Sequence, residues 1–412
     1  MKQILHRVLS FDGGGIRGLY QAHLLERLLA YGLDVASRAD VLAGTSTGAI
    51  VAGALAVGMK PHEIAGLYTT LGSKVFPPLS LAYRKTKLLR KGSDYSSAVL
   101  RAALEESPLG TCRLGDCQKR LIVAAVSLSQ YKLHVFDSED RNANTIPLVD
   151  VVLASTAAPT YFLPAKVGNV YYVDGGLCCN NPAFQAVGKL CGANQSDDRD
   201  IDLAQIYVLS ISTGGLPVTR DGATYAGLRQ YEWARATIDL ALSGSSDIAI
   251  RDCALVGYHY RIEEHLGTQI ALDDNKSAQD LLPAIAQEKA DDQEVRSRVR
   301  RWIDGPPQTG QSFAGKWKGS YSWQSGNHSG TTQETIEVEQ CGDLVYGEAS
   351  GQWPYVLWGR VRGNVLIGEW KGAHLRGSFL MVKSLVNGQA DGHWAGTSDD
   401  NKPFFGPWSW QP

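Results

Sequence analysis

The stretch Gly44-Thr45-Ser46-Thr47-Gly48 restricts the fold of this 412-residue chain more than any other. A G-x-S-x-G run seats its serine on a sharp turn between a strand and a helix, because small flanking residues let backbone segments approach closely and expose the hydroxyl. The flanks agree. Val41, Leu42 and Ala43 are a short apolar run before the motif, and residues 49–57 are an almost wholly apolar run after it, as a buried helix requires. Ser46 is the candidate nucleophile, and Gly44 and Gly48 are the glycines of its elbow.

Further upstream and downstream, strand-like runs alternate with helical ones. Arg7 to Phe11 leads into Asp12-Gly13-Gly14-Gly15-Ile16-Arg17-Gly18, after which Leu19, Ala22, Leu25, Leu28 and Leu29 fit one face of a helix. Leu121 to Leu128 and Ile206 to Ile211 read as further buried strands. The alternation predicts an α/β fold, a three-layer α/β/α domain with a mostly parallel central sheet. Ligands then belong at the carboxyl ends of the strands, where the glycine loop and the serine turn both fall.

Eight of the ten tryptophans lie beyond residue 312, which places a boundary there. Helix breakers in Asp304-Gly305-Pro306-Pro307-Gln308-Thr309-Gly310 mark the linker. The expected division is a first, α/β domain over 1–303, a linker over 304–312 and an accessory β-barrel-like domain over 313–412. Val295, Val299, Trp302 and Ile303 have helical spacing, so the first domain should close with an amphipathic helix. The second carries alternating runs at 315–323, 332–339, 344–349, 356–361, 365–370, 376–382, 389–396 and 404–410, which suit a small antiparallel up-and-down barrel. Its Trp-x-Gly pairs, Trp317-Lys318-Gly319 and Trp394-Ala395-Gly396, either fill the barrel or line a ligand cup of the avidin or lipocalin sort.

With 44% hydrophobic and 20% charged residues the chain has the composition of a globular protein, and its net charge of -2 gives no general attraction to nucleic acid or anionic membrane. Its first residues lack the pattern of a signal peptide, and no apolar run reaches the length of a membrane span, so a cytoplasmic location is expected. The seven cysteines include no C-x-x-C pair and read as buried free thiols.

Acyl transfer from an ester generates an oxyanion, which needs fixed N–H donors near the nucleophile. Gly13, Gly14, Gly15, Arg17 and Gly18 are the candidates, since a glycine run before a helix turns amides into one concavity. The same residues satisfy G-x-G-x-x-G, the dinucleotide fingerprint of an oxidoreductase. Asp12 directly before the glycines, and the serine motif soon after the helix, weigh against that reading. Arg17 is either an anion clamp or a solvated residue at the helix start. A base must take the serine proton. In Asp174-Gly175-Gly176 the glycines permit close approach of Asp174, which gives a dyad; a histidine triad would instead use His259 or His265. Composition leaves both open.

The three motifs in this order resemble the patatin family of lipid acyl hydrolases, which includes bacterial patatin-like phospholipases. The resemblance runs from about Val8 to Tyr260 and takes in residues 154–162 and Asn180-Asn181-Pro182 after the aspartate turn. It implies a Ser46 nucleophile, an Asp174 base, an oxyanion hole in the glycine loop, and neither cofactor nor metal. Ala49 departs from the second glycine of many relatives and is expected to narrow the entrance. Some similar bacterial phospholipases serve as effectors of cyclic-oligonucleotide anti-phage signalling, which implies a cyclic dinucleotide activator here. Phospholipid at a membrane surface is the implied substrate, a homo-oligomer is compatible, and the barrel could gate, hold lipid or oligomerise. A storage-type patatin with general esterase activity is the alternative. Residues 76–91 mix aromatic, apolar and basic groups, either as a lip on the membrane, with Arg84, Lys85 and Lys87 on anionic lipid, or as a solvated loop.

Overall fold

Strand β1 (His6–Phe11) is buried on both faces from Val8 to Phe11, which suits the centre of a covered sheet. In the computed structural model it pairs in parallel with β2 (Val41–Thr45) on one side and β7 (Ile206–Ile211) on the other, with Leu9 beside Leu42 and Leu209. The structure describes residues 5–77, 93–192, 201–214, 226–266, 270–307, 310–325, 328–398 and 403–412. Contacts divide the chain into two compact units, one of them His6–Ile303 and the other holding Asp304–Pro412.

The parallel run of the first unit continues to β3 (Arg120–Ser127) beyond β2 and to β8 (Tyr258–Ile262) beyond β7. One side of the sheet is antiparallel. Both β4 (Lys132–Asp137) and β6 (Val170–Asp174) oppose β3, and β5 (Ala165–Val167) opposes β6. β2 pairs with residues 120–124 of β3, β6 with residues 125–127, and β4 with residues 122–127. Because β4 overlaps both of the others, it must hold one edge of β3 alone. That leaves β2 and β6 end to end on the other edge, with Thr45 opposite Ala124 and Asp174 opposite Ala125.

The helices are α1 (Gly18–Ala30), α2 (Val35–Arg38), α3 (Thr47–Ala56), α4 (Pro61–Val75), α5 (Ser97–Glu105), α6 (Leu148–Thr156), α7 (Ala183–Gly192), α8 (Gln230–Asp252), α9 (Asn275–Asp291) and α10 (Gln293–Asp304). α7 lays Ala183, Ala186, Val187 and Leu190 on Val8, Val41, Ala43, Ile122 and Val208. The alternate residues Leu9, Leu42, Leu121 and Leu209, also fully buried, face the opposite layer. In α1 the apolar stripe is narrower than its sequence suggests, for Leu29 is 39% exposed. Val295, Val299, Trp302 and Ile303 of α10 are buried as their spacing predicts, and the Trp302 indole donates to the Tyr207 carbonyl at 2.9 Å. Among the described residues no helix is long and apolar enough to cross a membrane.

In the second unit β9 (Gly315–Ser325), β10 (His328–Cys341), β11 (Leu344–Gly351), β12 (Tyr355–Arg362), β13 (Val365–Gly372), β14 (Leu375–Lys383), β15 (Ala390–Ser398) and β16 (Pro403–Gln411) form an antiparallel barrel, closed by β16 on β9. Closure removes the free edges that an open sheet would expose. Trp317, Ile336, Leu357, Leu366, Met381 and Trp410 pack its interior. None of the seven cysteines is in a disulfide, but only Cys179 and Cys253 are buried, and Cys178 is exposed.

Candidate active site

β2 ends at Thr45 and α3 begins at Thr47, so one residue must turn the backbone. Ser46 does so at φ 54° and ψ −124°, a region that side-chain-bearing residues rarely enter and that persists only where surroundings fix it. Its N–H donates to Ser155 Oγ at 2.8 Å, and that hydroxyl donates to the Ala124 carbonyl at 2.6 Å. Thr45 Oγ1 donates to the Cys179 carbonyl at 2.8 Å. A Cβ on Gly44 would lie 2.2 Å from the Gly48 carbonyl oxygen, and one on Gly48 2.2 Å from that of Phe11. Backbone occupies the space that any side chain would need at either position.

The edge shared by β2 and β6 brings the motifs together. Ser46 Oγ donates to Asp174 Oδ2 at 2.6 Å, while Asp174 Oδ1 accepts the Gly176 N–H at 2.8 Å. Gly175 and Gly176 form the single turn that Asp174 caps. Burial pushes the Asp174 carboxyl up to about 6, against the downward pull of its bonds from Ser46 and Gly176. A carboxylate so placed is poised to exchange a proton near neutral pH. Among the described residues no histidine bonds to either side chain. His259 lies on β8 with its ring against Ser210 Oγ at 3.3 Å and its pKa lowered by burial to about 4, and His265 is exposed.

The glycine loop is more divided than its sequence suggests. The N–H of Gly13 donates to Asn180, that of Ile16 to Leu272, that of Arg17 to Gly14, and that of Gly18 to Gly15 and Ile16. Gly14 and Gly15 line the cavity beside Ser46, and their N–H groups have no acceptor among the described residues. These two can meet an oxyanion; the amides of Gly13 and Gly18 are committed elsewhere. Arg17 is neither a solvated residue nor a cavity-lining clamp: it is buried, and its guanidinium donates to the Gly14 and Gly214 carbonyls. It holds the loop rather than the anion.

Sequence reasoning assigned no role to the supports around this site. Asp12 is paired through both carboxylate oxygens with Arg261, at 3.2 and 2.7 Å, and accepts from Ser246 of α8. Gln21 binds the Asp12 and Ile211 carbonyls, and Thr213 Oγ1 donates to the Gly13 carbonyl. Ser155 lies within residues 154–162, which carry the patatin resemblance, yet only the fold reveals that its hydroxyl accepts from the Ser46 amide.

The cavity at Ser46 is walled by apolar groups, among them Ile50, Leu71, Phe162, Ile238, Leu242 and Leu272. At about 60 Å³ it is less than half the size of the roughly 150 Å³ engineered core void that admits benzene. Ala49 is fully buried and does not line this cavity, so it does not narrow the entrance. Phe76, packed edge-on against Tyr95 at 5.0 Å, lies at the wall. Arg84, Lys85 and Lys87 lie outside the described residues.

A mostly parallel sheet covered by helices on both faces, with a serine on a strand–turn–helix elbow hydrogen-bonded to a carboxylate, is the arrangement of an α/β/α hydrolase. A family model described as patatin-like phospholipase matches residues 9–187, a span that includes both Ser46 and Asp174. A cGAMP-activated phospholipase of Vibrio cholerae is 27% identical over 290 residues, 65% of this chain and 81% of that protein. Another cGAMP-activated phospholipase, of Pseudomonas aeruginosa, is 31% identical over 269 residues, 63% of this chain and 78% of that one. A cUMP-AMP-activated phospholipase of Escherichia coli is 30% identical over 227 residues, 52% and 67% of the two chains. The chain belongs to the patatin-like phospholipase family of lipid-ester hydrolases.

Proposed function

We propose that the chain is a phospholipase A that cleaves carboxyl esters of glycerophospholipids through Ser46 and Asp174, and that a cyclic dinucleotide switches it on. The observation that carries the first part is the 2.6 Å bond from Ser46 Oγ to Asp174 at an apolar cavity. Ser46 Oγ attacks the ester carbonyl as Asp174 accepts its proton, and the oxyanion meets the Gly14 and Gly15 amides. Collapse of the intermediate expels the lysolipid alcohol, which takes the proton back from Asp174. Water, deprotonated by Asp174, then attacks the acyl-enzyme and releases the fatty acid.

Hydrolysis of a fluorogenic phospholipid tests this reading. Ser46→Ala and Asp174→Asn should each lose roughly ten-thousandfold in turnover, as deletions of paired catalytic groups do. Wild-type rates in both would sink the assignment, and inactivity of His259→Ala would restore the triad.

Two observations support activation by a ligand. Several of the matched relatives are named for activation by cGAMP or cUMP-AMP, and the cavity at Ser46, about 60 Å³, is small beside a fatty acyl chain. A lipase acting from the cytoplasm on its host's membrane has reason to stay idle until an anti-phage signal arrives. Lipid-product mass spectrometry with and without a panel of cyclic dinucleotides should show a rise in lysolipid for one of them; a flat response across the panel counts against the switch.

A further inference from the structure

Glu334 is a carboxylate inside the barrel, where strands ordinarily place apolar side chains. Its position is prepared on both sides. Its cross-strand partners are Gly319 on β9 and Gly351 on β11, and a Cβ on Gly319 would come within 2.7 Å of the Glu334 side chain. Glu334 Oε1 accepts from Tyr355 OH and from Trp408 Nε1, both at 2.7 Å, while the buried Oε2 has no hydrogen-bond partner. Burial pushes this carboxyl up to about 7 against those two bonds. An uncompensated buried acid is costly unless something answers it.

Tyr355 and Trp408 also line a cavity of about 160 Å³ together with Tyr321, Trp370, Trp394 and Trp353. The rings stand edge to face: Tyr355 on Trp408 at 65°, Tyr355 on Trp370 at 71°, Trp370 on Trp394 at 81° and Tyr321 on Trp394 at 85°. Near-perpendicular walls enclose a rounded group rather than a flat ring, which would call for two parallel faces. The second Trp-x-Gly pair contributes here too, since a Cβ on Gly396 would lie 2.5 Å from the Trp370 ring. Aromatic faces attract cations, and a carboxylate behind them adds to that field. The Trp370 Nε1–H, buried without an acceptor, supplies a donor for a ligand oxygen.

We propose that the open end of the C-terminal barrel binds an organic ammonium ion of the choline type, held among Tyr321, Tyr355, Trp370, Trp394 and Trp408 with the Glu334 carboxylate behind. The group is either the headgroup of a choline lipid or a free alkylammonium solute. It stands apart from the ester chemistry at Ser46, and its test does not depend on that chemistry.

Tryptophan fluorescence and calorimetry at pH 8 on the full chain compare choline with 3,3-dimethylbutan-1-ol, which has the same shape and no charge. Choline should bind and the neutral alcohol should bind at least about tenfold more weakly. Glu334→Gln keeps the shape and removes the charge; it should weaken choline about tenfold with an unchanged circular dichroism spectrum, and Tyr355→Phe should weaken it less. Equal binding of choline and the alcohol, no binding of either, or preferential binding of adenosine or guanosine overturns the proposal. A Ser46→Ala chain on vesicles separates the two sources. Glu334-dependent recruitment to phosphatidylcholine but not phosphatidylglycerol assigns the cation to a headgroup, whereas choline binding without recruitment assigns it to a solute, and either supports the site.

Discussion

The Asp174 carboxyl is raised to about 6 because burial penalises its charge more than Ser46 and Gly176 relieve it. In the proposed mechanism Asp174 serves as a base only when ionised, so kcat/KM should fall about tenfold per pH unit below 6 and level off above it, as a pH–rate profile would show. The same shift has the opposite effect on stability. Between the ordinary carboxylate range and 6 the native state keeps a proton that the unfolded chain has lost, so stability falls as pH rises across that window. Asp174→Asn should therefore be more stable than the parent at pH 8, by the order of 1–3 kcal/mol, with the advantage gone below pH 4, as urea titrations at the two pH values would measure. Ser155 acts one step removed, by holding the Ser46 amide. Ser155→Ala should lower kcat by about tenfold to a hundredfold with KM and the pH midpoint little changed; an unaltered kcat would deny it the positioning role. The approach of Asp174 to Ser46 was legible because motif glycines announce backbone geometry. Ser155 was not, since a lone serine in an apolar helix carries no local mark of the amide it will meet.

At the scale of elements, β1, β2, β7 and the closing helix were readable because burial on two faces, or on one stripe, leaves a periodic trace. The antiparallel side of the sheet was not. β6 is five residues long, and nothing in Val170 to Asp174 states that it will run against β3 rather than along it. That direction is what carries Asp174 to Ser46. The division of the glycine loop was hidden for a similar reason, because the acceptors for Gly13 and Ile16 come from Asn180 and Leu272, far along the chain. α10 offers a direct measure of packing. Trp302 is fully buried and its indole is bonded, so Trp302→Ala should cost about 3–5 kcal/mol in a urea or thermal melt.

For the whole molecule, the barrel was legible as eight alternating runs, seven of which fall within a strand while the run 389–396 starts one residue ahead of β15. What the runs did not disclose is that a carboxylate would be kept inside: Glu334 shares the face of Ile336 and Val338, but an acid next to an apolar stripe ordinarily marks where that face meets water. We propose that the units before and after residue 304 fold independently, since the barrel closes its own hydrogen-bond ladder. Chains of residues 1–303 and 304–412 expressed separately should each melt cooperatively, and a fragment that shows no transition by circular dichroism would refute that independence.

The shared edge of β3 also bears on how the chain is made. Ser46 and Asp174 are 128 residues apart, and β6 is the segment that unites them. In the proposed mechanism, a nascent chain that has formed β2 and β3 but not yet β6 carries the attacking hydroxyl without the group that would take its proton. Synthesis on that mechanism yields an inactive intermediate until β6 (Val170–Asp174) is made, and the capacity to cleave lipid arises at the moment one short strand finds its place.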